Sequence, residues 1–212
     1  MALLALLSTA RRVLFAPSLP LLTLVAAGSS FLAVLLASQA LGGDQGFVDE
    51  VRGACLPFAG ALVLSLAEPL DVGREVREGW LRLRVARGGG FALLSRWAGL
   101  LLGTLPTVLV CALAAGGWGR QPLGALLELA VLCAGGLLLG AWLDRALLVP
   151  ALWCLLVGGH LWPWLAESGA SWVLPRLGGE VGPLETLSAA VWCAGSLLLA
   201  RARLVRLAGS GS

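Results

Sequence analysis

The chain has 212 residues, 58% of them hydrophobic and 13% charged, with a mean hydropathy of +0.91 and a formal net charge of +3. A soluble domain averages about 45–50% apolar and about 25% charged, so the composition excludes an ordinary soluble protein and points to a bilayer. The length holds several membrane spans and leaves no room for a separate soluble catalytic domain.

Residues 1–16, MALLALLSTARRVLFA, place Arg11 and Arg12 after the apolar run instead of before it, and no small-residue cleavage site follows. That order argues against a secretory signal. Leu3, Leu7, Ala10 and Leu14 share one helical face, which predicts an interfacial helix on the inner leaflet. Pro17 and Pro20 then turn the chain toward the membrane.

Six apolar runs follow, near 18–40, 53–70, 92–114, 123–143, 146–166 and 186–206. Each approaches the roughly 20 residues needed to cross a ~30 Å hydrocarbon core. The sequence thus predicts an all-α polytopic fold in which residues 17–208 form a six-helix transmembrane domain. Gly28-Ser29-Ser30, Gly135-Gly136 and Gly158-Gly159 suit close helix contact in lipid.

Arginine sets the orientation, since all the basic residues are arginine. With the N-terminus inside, Arg11, Arg12, Arg74, Arg77, Arg82, Arg84, Arg87, Arg96, Arg145, Arg201, Arg203 and Arg206 are cytoplasmic. Arg52, Arg120 and Arg176 are left outside. The positive-inside rule then predicts a multi-pass protein of the cell (inner) membrane with both termini cytoplasmic. Trp97 and Trp142 near the inner ends, with Trp118, Trp162, Trp164 and Trp192 near the outer ends, match an aromatic belt.

Between the second and third spans, about 71–90, lies the segment best placed to meet a cytoplasmic partner. On a helical wheel Val72, Val76, Trp80 and Leu83 share one face, and Arg74, Glu78 and Arg82 step by four along the opposite flank. Leu81 and Val85 sit amid the charge, as residues entering a partner's groove do. The sequence predicts one amphipathic helix from Val72 to Arg87, with Gly88-Gly89-Gly90 as a hinge to the third span. A solvated loop that only fixes topology fits the same residues. Outside, about 167–185, Pro175, Pro183 and several glycines suggest short capping or re-entrant segments. The final residues, 209–212 (GSGS), read as an appended linker.

The order of an apolar span, EPLDVGREVREGWLRLRV, a glycine break, SRWAGLLLGTLP and further spans resembles the permease subunits of ABC-2 type exporters. Glu75, Arg77, Glu78, Gly79, Leu81 and Arg96 stand where that family carries an acidic and basic segment, and Thr104-Leu105-Pro106 resembles its turn in the third span. The run ALVLSLAEPLDVGREVREGWL is similar to the haem-exporter B subunit of cytochrome c maturation. Trp80 and Gly88–Gly90 depart from that pattern. The resemblance implies a dimer with a second, identical or homologous permease, and a separate ATPase subunit that binds ATP and Mg. It places the ATPase contact on Arg74, Glu75, Arg77, Glu78, Leu81, Arg82 and Val85; the aliphatic spans favour a hydrophobic or amphiphilic cargo, and the haem-exporter similarity suggests a haem-related one. This chain has no Walker A sequence, so it is not itself the motor.

Polar residues inside the spans are few. Glu68 lies near the inner end of the second span. Glu128 lies inside the fourth, and an ionisable group there is costly enough to be a functional candidate. The single histidine, His160, sits at comparable outer depth on the fifth and suggests a Glu128–His160 pair. Asp144 stands alone at an inner turn. No catalytic set emerges: Ser196 lacks a nucleophile motif, and paired carboxylates and HExxH are absent. The five cysteines lie in apolar runs without CxxC spacing, so no metal or cofactor is expected in the chain. No basic and aromatic pattern suggests nucleic acid. A non-transporting scaffold anchoring a cytoplasmic partner is the alternative to transport.

Overall fold

A computed structural model of the chain describes residues 2–40, 44–79, 82–117, 122–166 and 182–209, and every regular element in it is helical. The order is α1 (Ala2–Leu14), α2 (Leu19–Ala40), α3 (Gln45–Leu66), a 3-10 turn (Glu68–Leu70), α4 (Val72–Arg77), α5 (Arg82–Ala114), α6 (Pro122–Trp142), α7 (Arg145–Ala166) and α8 (Pro183–Gly209). Most boundaries fall within a few residues of the apolar runs.

Among the described residues, four helices are long and apolar enough to cross a membrane: Leu19–Gln39, Phe91–Ala114, Pro122–Trp142 and Thr186–Gly209. The other two predicted spans differ for a visible reason in one case. α3 begins at Gln45, so Asp49, Glu50 and Arg52 fall within its first turns. The uncharged stretch 53–66 is shorter than the ~20 residues a full crossing needs. In α7 the described side chains cover an apolar stretch, Arg145–Leu156, on a helix of 22 residues.

α6 is the central helix, buried on nearly every side, whereas α2 and α8 are peripheral. Its Gly135 and Gly136 receive Leu155 of α7 and Leu70, as the small-residue pairs predict. Gly28 differs: no neighbour stands within 4 Å of a side chain placed there. Trp97 of α5 donates its indole N–H to the Ala130 carbonyl of α6 at 2.9 Å. Thr23 and Thr107 share a hydrogen bond of 3.0 Å between α2 and α5.

α1 lies along α5. A methyl group on Gly99 would come within 2.6 Å of Thr9 Cβ, and one on Gly103 within 2.6 Å of Val13 Cβ. Contact advances four residues on each helix, so the two run side by side there. Thr9, Ala10 and Val13 form the buried face, while Leu3, Leu7 and Leu14 remain exposed. Small residues at four-residue spacing let two backbones approach closely.

Candidate functional site

The single helix expected from Val72 to Arg87 is two elements. α4 stops at Arg77, and Gly79 adopts φ +86°. Left-handed glycine just past a helix end is a common stop, because it aims backbone N–H groups back at the last carbonyls. Glu78 N accordingly donates to Arg74 O at 2.9 Å, and Gly79 N to Val76 O at 3.1 Å. The chain resumes as α5 at Arg82 and passes through Gly88–Gly90 without a break. The glycine run is therefore helical and not a hinge. Once a long helix exists, each added residue avoids the cost of nucleation, which offsets the roughly 1 kcal/mol by which each glycine disfavours a helix.

α4 does not float over the bundle. Leu70, Val72 and Val76 are fully buried, the last two on the face that the wheel makes apolar. A methyl group on Gly140 would run into the Leu70 carbonyl, and one on Gly73 would lie 2.8 Å from Gly140 O. The segment 68–78 is thus pressed backbone to backbone against the end of α6. It packs on α8 and α5 as well.

Its charges complete the attachment. Glu75 Oε1 accepts from Arg96 Nη2 at 2.6 Å and from Arg12 Nη1 at 3.4 Å, joining α4 to α5 and α1. The Arg96 side chain is 8% exposed and Glu75 19%, against 54% for Arg12. Asp71, at the head of α4, makes no side-chain cap and instead accepts from Arg145 Nη1 at 3.3 Å. Arg145 Nη2 also donates to Leu66 O at 3.2 Å. Arg77 Nη2 donates to Asp144 Oδ1 at 2.9 Å, so Asp144 does not stand alone.

Magnitudes separate these pairs. Exposed ion pairs such as Arg77–Asp144 are worth about 0–1 kcal/mol. Removing one partner of a buried pair costs about 3–5 kcal/mol, because the other charge stays buried and unmatched. Arg96–Glu75 is the pair of that kind.

The predicted contact residues therefore split. Glu75 points into the bundle as an anchor. Arg74 and Glu78 pair with each other at 2.6 Å on the exposed flank, with Arg77 beside them. Arg82 and Val85 fall on the first turns of α5, but their side chains, and all of Leu81, lie outside the described residues. Arg12, Asp71, Asp144 and Arg145 were not read as parts of this cluster from the sequence. Only their charge, recurring at every predicted inner helix end, hints at it.

Glu128 is buried on α6, 5% exposed. His160 lies on α7 with its side chain outside the described residues, so the proposed pair lies outside them too, as does the segment 167–181. The side chain of Glu68 is also outside them. All five cysteines are free thiols.

Fold and cluster together define an all-helical membrane protein in which one charged segment is bound into the end of a helical bundle. No protein-family model matches the chain, and no curated protein or solved structure matches it.

Proposed function

We propose that the chain is the permease subunit of an ATP-driven exporter of the ABC-2 type, with α4 and the start of α5 forming the contact for a separate ATPase subunit. One observation supports this reading above others: the segment 68–78 is tied to several helices at once, through Glu75 to α1 and α5, Asp71 to α7, and Gly73 to α6. A push delivered to its exposed flank, at Arg74, Arg77 and Glu78, would move the bundle as a body.

In this reading the chain crosses the inner membrane six times, α3 and α7 joining the four apolar helices, with both termini cytoplasmic. Arg74, Arg77 and Glu78 meet the ATPase, together with Leu81, Arg82 and Val85, while Glu75 holds the segment in place. A second permease completes the transport path. A hydrophobic or amphiphilic cargo suits spans that are almost uniformly aliphatic.

Purification of the intact chain from native membranes in mild detergent tests the proposal. The expected result is a nucleotide-hydrolysing subunit retained in stoichiometric amount and lost on the charge reversals Arg77→Glu and Arg82→Glu. Retention of a different, non-hydrolysing partner would replace transport by a scaffold role. An ATPase held equally well by both variants would remove α4 from the contact.

A further inference from the structure

Among the arginines near the charged end whose side chains are described, some are paired and some are not, Arg11 on α1 among the latter, 6.0 Å from the Phe15 ring centroid. Arg12, Arg74, Arg77, Arg96 and Arg145 each have a carboxylate partner within the molecule. On the last turns of α8, Arg201, Arg203 and Arg206 have no such partner among the described residues. Topology alone would be served by exposed arginines of any arrangement, yet these are arranged. Arg203 and Arg206 are i, i+3 neighbours, which places them side by side on one helix flank.

The Arg203 guanidinium lies over the Trp142 ring, 4.8 Å from its centroid. Its Nε, like that of Arg96, is turned inward and has no acceptor among the described residues, so the ring contact and not a carboxylate holds this side chain. Trp142 is itself 57% exposed, and tryptophan favours the boundary between lipid and water. Leu198, Leu199 and Val205 are exposed on the same helix, which belongs to a candidate membrane span.

We propose that Arg203 and Arg206, backed by Trp142, form a binding site for the phosphate of an anionic phospholipid headgroup. The planar guanidinium fork matches phosphate oxygens. The exposed aliphatic residues beside it favour a ligand with an acyl chain over an acidic soluble protein. This inference rests on α8 being a membrane helix and is independent of the transport reading.

Native mass spectrometry of the full chain in mild detergent, titrated with phosphatidylglycerol or phosphatidylcholine, tests it. The wild type retains phosphatidylglycerol in preference to phosphatidylcholine. A charge near an anionic surface contributes about fivefold per arginine, so Arg203→Gln/Arg206→Gln reduces that preference by about twenty-fivefold. Arg206→Gln alone, at an exposed position, reduces it about fivefold and serves if the double variant does not fold. Arg74→Gln, whose native side chain already pairs with Glu78, leaves it unchanged. The proposal is overturned if Arg206→Gln retains the full preference, if Arg74→Gln loses as much, or if inorganic phosphate displaces the lipid.

Discussion

The α4 rim and the end of α8 both carry clustered arginines and treat them in opposite ways. At the rim Arg12, Arg74, Arg77, Arg96 and Arg145 each meet a carboxylate on another element or on the same helix, and backbone contact at Gly140 and Gly73 leaves little play. On α8 no carboxylate answers them among the described residues, and Arg203 rests on an aromatic ring. Positive charge satisfied internally builds a rigid seat; positive charge left unmatched is available to whatever lies outside.

The largest effect that would break this comparison comes at Glu75. Glu75→Ala leaves Arg96 buried without a counter-charge and is expected to lower stability by about 3–5 kcal/mol, read as thermal unfolding of the detergent-solubilised protein. Gly140→Ala comes next. Its methyl group meets backbone, and overpacking of that kind costs about 1–3 kcal/mol, measured the same way. Arg77→Gln removes an exposed pair with Asp144 and is expected to change stability by no more than about 1 kcal/mol, so any larger loss of partner binding is a contact effect. Arg201→Gln, exposed and without an ion-pair partner among the described residues, is expected to stay within about 0.5 kcal/mol.

The helices were legible in the sequence because long aliphatic runs between arginine-bearing ends have one economical solution in lipid. The buried face of α4, Val72 and Val76, was legible for the same reason, through its period. The break at Gly79 was written in the sequence but outweighed by a wheel that continues smoothly to Arg87. Helical periodicity cannot register a single residue of positive φ. The inward turn of Glu75 was not legible, since it depends on Arg96, 21 positions away, and on α1 lying beside α5. The close approach at Gly99 and Gly103 has the spacing that permits it, yet the pattern does not name the partner helix. Ion pairs that join distant segments are properties of the packed bundle, and charge alone does not say which arginine finds which acid.

A double-mutant cycle on Glu75 and Arg96, with Glu75→Gln, Arg96→Gln and the pair together, tests most directly whether the rim is bound into the bundle. The account predicts a coupling of about 2–3 kcal/mol in thermal or denaturant unfolding, with the double variant more stable than the sum of the singles implies. Effects that add within about 0.5 kcal/mol would show the two side chains to be independent and would contradict it.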